Sequence, residues 1–308
     1  MTGVAYVFPG QGSQRVGMGR ALALAFPEAR AVFEEADDTL GFGLSTLCFE
    51  GPEDELQLTA NTQPAIVAAS VAALRCYRAR GLETEAADFV AGHSLGEYSA
   101  LVAAGALELG EALRLVRARG EAMQKAVPVG EGAMAAVLGL SVEDTEEVAA
   151  EAAGETGGVC QLANLNAPGQ IVIAGSSAAV ERAAVLAGER GARRAISLPV
   201  SAPFHCALMA PARQTMEPLI QAAPMVDPQV PVVCNVDAEP LMTVSAARNA
   251  LVRQIDGPVR WAESVTVMAA AGVDRLTEFG PGKVLSGLAR RIDRKLKVRT
   301  VAEPDDME

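Results

Sequence analysis

A short apolar run, Phe89-Val90-Ala91, leads into Gly92-His93-Ser94-Leu95-Gly96, and a helix pattern follows. Gly-x-Ser-x-Gly at a strand-to-helix junction predicts a nucleophile elbow. In such a strained turn the serine hydroxyl stands clear of the backbone, and small neighbours let adjacent chains approach. The chain holds 29 glycines, enough to make this pentapeptide as an ordinary turn, so the strand before it and the helix after it decide for the elbow. An elbow strand needs a sheet around it, and the rest of the chain supplies the strands.

Val4 to Phe8 reads as a buried strand ending in Pro9-Gly10. Asn61 to Arg80 reads as an Ala-rich helix, with Asn61 or Thr62 as its cap and Gly81 as its stop. A second long helix is expected from Glu108 to Ala126, with Leu109, Leu113, Val116 and Met123 on its apolar face. From Gly132 the pattern changes. Strands are expected at Ala133–Leu138, Val159–Leu165, Gln170–Ala174 and Ala195–Val200, and helices at Ser141–Ala153 and Ser177–Arg190. Ser141 and Asp144 have the spacing of a capping box. The order β-α-β-β-α-β is that of a ferredoxin-like subdomain. Strands resume at Pro231–Val236, Arg275–Phe279 and Val298–Val301 with helices between them, which predicts a mainly parallel α/β sheet. The expected division is a core of residues 1–130 and 199–308 carrying an insert at 131–198. Glu303 to Glu308 reads as an acidic frayed tail.

Composition narrows the function classes. The 308 residues are half hydrophobic and carry a net charge of −12, so a sizeable core is available and no basic surplus exists to neutralise nucleic-acid phosphates. The most apolar stretch, Ala65 to Leu74, is well short of the ~20 residues a membrane-spanning helix needs, and no secretory leader is expected at the amino terminus. Five cysteines, odd in number and without Cys-x-x-Cys spacing, disfavour structural zinc and a disulfide framework. A cytoplasmic monomer without metal or cofactor is expected.

A serine nucleophile needs a base, and the chain has two histidines. His93 adjoins Ser94, and neighbouring side chains on a sharp turn diverge, so His93 reads as a hydrogen-bonded structural residue. His205, in Ser201-Ala-Pro-Phe-His205-Cys206 beyond the last insert strand, is the candidate base. The loop Pro9-Gly10-Gln11-Gly12-Ser13-Gln14 is suited to aiming backbone N–H groups at an oxyanion. Nucleotide fingerprints fail there, because Arg15 stands where a glycine is needed and Met18-Gly19 where Lys-Ser or Lys-Thr is needed. Arg119 falls about 70° from the centre of its helix's apolar stripe, which predicts a half-buried arginine at most; Arg117 lies on the other border and Arg114 opposite the core. Three function classes remain at this point. They are acyl transfer, hydrolysis by a serine hydrolase or thioesterase, and a non-catalytic binding module. The hydrolase order requires an acid between Ser94 and His205, and Glu143 and Asp144 fall in the insert.

Longer strings favour the first, with the serine hydrolase or thioesterase as the alternative. Phe8-Pro-Gly-Gln-Gly-Ser-Gln14, Gly92-His-Ser-Leu-Gly-Glu-Tyr-Ser-Ala100, Arg119-Gly120, Asn166-Ala-Pro-Gly-Gln170, Pro203-Phe-His205, Gln254 and Pro258-Val-Arg-Trp261 occur in one order that resembles the malonyl-CoA:acyl carrier protein transacylase family. The resemblance implies an α/β-hydrolase-like core with a ferredoxin-like insert. It implies ping-pong transfer of malonyl from malonyl-CoA, through Ser94, to the phosphopantetheine thiol of acyl carrier protein, with His205 as base and acid. It further implies that the N–H groups of Gln11 and Leu95 hold the oxyanion, that Arg119 pairs with the free malonyl carboxylate, and that the Gln254 carbonyl orients the imidazole. Many bacterial members carry Pro-Ser-His, whereas this chain has Pro203-Phe204-His205; a ring at Phe204 favours malonyl over methylmalonyl. The implied carrier protein is acidic, so docking is expected on exposed basic residues, with Arg193, Arg194, Arg290 and Arg291 as candidates.

Overall fold

The structure is a computed structural model in which residues 3–82 and 86–307 are described. Met1 and Thr2 of the expected leaderless amino terminus, and Glu308 of the expected tail, lie outside the described residues. Ten strands are found among those residues: β1 (Gly3–Phe8), β2 (Phe89–Gly92), β3 (Gly132–Leu138), β4 (Cys160–Ala167), β5 (Gln170–Ser176), β6 (Arg194–Ser197), β7 (Val232–Val233), β8 (Pro240–Leu241), β9 (Val273–Phe279) and β10 (Lys297–Val301). They form two sheets. The larger has the order β10-β9-β1-β2-β7-β8 and is parallel except at β8; the smaller has the order β4-β5-β3-β6 and is antiparallel. This is the mixed α/β class expected, with a ferredoxin-like order in the second sheet.

Alternation along β1 builds the core on both faces of the larger sheet. Tyr6 and Phe8 face a layer that includes Ile66, Leu113 and Phe279, while Ala5 and Val7 face Trp261, Val265 and Leu285. The smaller sheet has its own core of Ala135, Val137, Val148, Ile173 and Leu186. Ser141 caps the helix Val142–Thr156 as expected, accepting the Asp144 N–H at 3.0 Å. Among the described residues no helix is long and apolar enough to cross a membrane.

Four local expectations need correction. The long helix starts at Thr59, not Asn61, and neither Asn61 nor Thr62 caps it; their side chains instead donate to the carbonyls of Glu55 and Leu56 in the preceding turn. The strand expected over Pro231–Val236 shrinks to Val232–Val233, because Asn235 leaves the ladder and gives its N–H to the Glu97 carboxylate. β6 ends at Ser197, leaving 198–204 as a loop ahead of His205. The tail is not frayed over its described part. It turns through a 3₁₀ helix at Pro304–Met307, where Asp306 accepts two backbone N–H groups and Met307 is buried.

The helix Leu109–Lys125 packs against Thr59–Ala79 so closely that a Cβ on Gly120 would lie 2.7 Å from the Ala60 Cα and the Thr59 carbonyl oxygen. Helix propensity alone favours Gly120→Ala by ~1 kcal/mol. Steric overlap wins, and the substitution is expected to lower unfolding free energy by about 1–3 kcal/mol in a urea titration. A variant as stable as the parent contradicts this packing.

Candidate active site

β1 and β2 run in parallel with Phe8 paired to Gly92, so the loops that leave their ends are neighbours. The elbow between β2 and the helix Gly96–Ala103 depends on its two glycines. A Cβ on Gly92 would lie 1.9 Å from the Gly96 carbonyl carbon, and one on Gly96 would lie 2.3 Å from the Phe8 oxygen. Between them Ser94 is held at φ 53°, in the left-handed region that a β-carbon disfavours by ~1–2 kcal/mol. Its backbone is clamped on both sides: Asn235 Oδ1 accepts the Ser94 N–H at 2.6 Å, and Gln254 Nε2 donates to the Ser94 carbonyl at 2.9 Å. Asn235 also gives its amide to the Gly92 carbonyl at 2.6 Å.

His205, itself at φ 60°, places Nε2 at 2.7 Å from Ser94 Oγ. Its Nδ1 faces the carbonyl oxygens of Gln254 at 2.9 Å and Gly257 at 3.1 Å. Carbonyls accept and do not donate, so Nδ1 carries the hydrogen and Nε2 is free to accept from the serine. Among the described residues no carboxylate hydrogen-bonds to this imidazole, and Glu143 and Asp144 lie in the first turn of the helix Val142–Thr156, where Asp144 is bonded to Ser141. Burial, with the Arg119 charge adding to it, pushes the His205 imidazole down to about 3, against the opposing pull of the two carbonyls.

Arg119 is more buried than its helix periodicity predicts, with 1% of its surface exposed. Side chains from outside its own helix close over it: Gln63 from the helix Thr59–Ala79, Ser94 from the elbow and Gln254 from the helix Val244–Gln254. The guanidinium donates to Gln63 Oε1 at 2.8 Å, to Gln254 Oε1 at 2.8 Å and to Ser94 Oγ at 3.0 Å, while Nε has no partner. Arg114 and Arg117 are placed on the exposed face and the border as expected. His93 turns from the serine's partner and hydrogen-bonds Asn166 Oδ1 at 2.9 Å, with its ring tilted against Trp261. Cys206 donates to the Pro203 carbonyl at 3.1 Å, and burial pushes its thiol up to about 11, so it is no ready nucleophile.

A cavity of about 600 Å³ opens over these groups. Ser94, Arg119 and His205 line it with Gln11, and Phe204, Met123, Met134 and Leu198 form apolar wall. The Leu95 side chain is buried away from it, and what Leu95 contributes is backbone. Among the described residues neither the Gln11 nor the Leu95 N–H has a protein acceptor. The Gln11 side chain is tied to Thr59 Oγ1 at 3.2 Å, which fixes the loop beside the elbow. No group of three His, Cys, Asp or Glu side chains among the described residues is placed to hold a metal ion.

Three residues of this network carried no role in the sequence. Gln63 is a polar residue in an apolar helix, Asn235 interrupts an apolar strand, and Glu97 follows the elbow directly. All three are buried. Glu97 Oε2 accepts the Gln254 amide and the Asn235 N–H, each at 2.9 Å. Burial, outweighing these bonds, pushes its carboxyl up to about 7.

Comparison with known proteins agrees with this geometry. The family model described as "Acyl transferase domain" matches residues 5–291. The chain is 48% identical to the malonyl CoA-acyl carrier protein transacylase of Bacillus subtilis, over all of this chain and 96% of that one. Among solved structures, the acyl-carrier-protein-S-malonyltransferase of Bartonella henselae superposes with a TM-score of 0.96 at 50% identity, covering 99% of this chain and 97% of that one. A type II PKS acyl-carrier protein in complex with its malonyl-transacylase matches with a TM-score of 0.96 at 46% identity, covering 99% and 98%. A serine elbow paired with a histidine, a buried arginine at the same hydroxyl and likeness along the full chain lead to one conclusion: the chain belongs to the acyl transferase domain family, among the malonyl-CoA:acyl carrier protein transacylases.

Proposed function

We propose that this chain moves malonyl from malonyl-CoA to the phosphopantetheine thiol of an acyl carrier protein, supplying extender units for fatty-acid or polyketide assembly. The observation that carries the reading is that Ser94 Oγ touches both a neutral imidazole and a buried guanidinium, at 2.7 Å and 3.0 Å. In the first half-reaction Ser94 gives its proton to His205 Nε2 as Oγ attacks the thioester carbonyl. The N–H groups of Gln11 and Leu95 receive the oxyanion. Collapse breaks the C–S bond, and the departing thiolate takes the proton from His205. The second half-reaction runs in reverse: the carrier thiol gives its proton to His205 and attacks the malonyl ester, and Ser94 leaves with the proton restored. The carbonyls at Nδ1 stabilise the transient imidazolium without a third acid. Proton transfer and hydrogen bonds complete this sequence, so no cofactor is called for, and the chain is read as a cytoplasmic monomer.

Arg119 is the group that separates malonyl transfer from general ester chemistry. Its planar fork suits a free carboxylate, and it stays charged in a buried site. Phe204 is buried at the cavity wall, and its ring is the group we assign to selecting malonyl over methylmalonyl. Arg193, Arg194, Arg290 and Arg291 are exposed, and Arg291 bridges to Gln170 of the second sheet at 2.6 Å, so a basic face is available to an acidic carrier.

Incubation with radiolabelled malonyl-CoA tests the reading. A persistent labelled ester that carrier protein discharges supports transfer; free malonate as the main product supports the hydrolase. Ser94→Ala is expected to abolish the label, with turnover down on the order of 10⁶. A label surviving on Cys206 contradicts the assignment. Arg119→Ala is expected to depress malonyl kcat/KM by roughly two to three orders of magnitude, since removing one partner of a buried pair costs ~2–5 kcal/mol. Acetyl transfer is expected to hold or improve; an equal fall for both substrates makes Arg119 structural.

A further inference from the structure

The guanidinium of Arg119 is buried, and each of its hydrogen-bond partners, Gln63, Ser94 and Gln254, is neutral. A buried cation without a counter-charge is strongly disfavoured. The Gln254 carboxamide supplies the connection to one. Its Oε1 accepts from Arg119 at 2.8 Å, and its Nε2 donates to Glu97 Oε2 at 2.9 Å. Resting on the function proposed above, we infer that Glu97 is the resting counter-charge of Arg119, relayed through Gln254, and that the free carboxylate of the incoming acyl group displaces it from that role. Glu97 is thus a positioning residue that tunes how strongly the site attracts a carboxylate.

The other charged and titratable groups around Glu97 do not compete for this role. Asp237 and Arg253, from the loop after β7 and the helix Val244–Gln254, form an ion pair with each other. Tyr98 on the same helix as Glu97 is un-ionised near neutral pH, its phenol raised to about 12, and the Cys234 thiol is raised to about 11. Arg119, on the helix Leu109–Lys125, is the cation left for Glu97. Two carboxylates cannot both draw on one guanidinium at full strength, so arrival of the acyl carboxylate favours protonation of Glu97. The Glu97 carboxyl, already raised to about 7, takes up that proton within the working pH range. The sign follows. As pH rises through about 7, Glu97 ionises and holds Arg119 harder, and malonyl gains less from it.

The test compares the full-length protein with Glu97→Gln, an isostere that keeps an acceptor for Gln254 and Asn235 but never ionises. Rapid-quench rates of Ser94 acylation are measured with malonyl-CoA and with acetyl-CoA, which lacks the carboxylate, from about pH 5.5 to about pH 9. The variant-to-parent ratio is expected to climb roughly tenfold with pH for malonyl-CoA and to stay flat for acetyl-CoA. A flat ratio for both, at any height, makes Glu97 a fold-stabilising residue and overturns the inference; the same climb for both overturns it too. The parent protein gives a second readout that needs no variant. Near pH 7 its malonylation is expected to take up roughly half a proton more than its acetylation, and an equal uptake overturns the inference. Failure of the parent to form any malonyl ester overturns the proposed function itself, so the two failures are distinguishable.

Discussion

The left-handed backbone of Ser94 is the constraint on which the site depends. A serine at φ 53° does not hold itself there, and the fold supplies the restraint from several directions. The Phe8 carbonyl lies where only a hydrogen on Gly96 fits, so β1 sets how deep the elbow sits. Asn235 holds the serine N–H from the end of β7, and Gln254 holds the carbonyl from the end of a helix. Elements far apart in sequence thus converge on one peptide unit. The hydroxyl they present meets His205 at 2.7 Å without either partner having to move.

The same restraints perform the electrostatic work. Gln254 contributes three atoms: its backbone carbonyl orients His205, its amide nitrogen steadies the elbow and its amide oxygen receives Arg119. A hydrolase places a carboxylate behind its histidine, whereas here two carbonyls do that job and add no negative charge beside the imidazole. A site that must attract a free carboxylate benefits from this arrangement, because an acid beside the imidazole would repel the substrate's own charge.

How far the sequence reveals this depends on the range of the interactions. The elbow is legible because its glycines, serine, strand and helix are contiguous, and His205 because two histidines leave a single alternative. The second sheet is legible for the same reason, as its strands pair with near neighbours and Ser141 caps its own helix. Arg119 is misjudged because one helix's periodicity does not include Gln63, Ser94 and Gln254, which three other parts of the chain bring around its guanidinium. Asn235 and Glu97 escape notice because their partners are 138 residues apart, though a buried asparagine inside an apolar strand is a signal that something polar waits opposite. Met307 shows the converse error, since an acidic tail reads as solvated until Asp306 folds it back onto backbone N–H groups.

Catalysis at this site depends on a neutral His205, fixed by the carbonyls of Gln254 and Gly257, that presents an unprotonated Nε2 to Ser94. Nitrogen NMR of the imidazole reads this directly, and with two histidines in the chain a His93→Gln sample assigns the signals. The expected result is a proton on Nδ1, none on Nε2, and no titration as pH falls through the ordinary histidine value of 6.5, because burial pushes this imidazole down to about 3. A His205 signal that carries its proton on Nε2, or that titrates near 6.5, would contradict it.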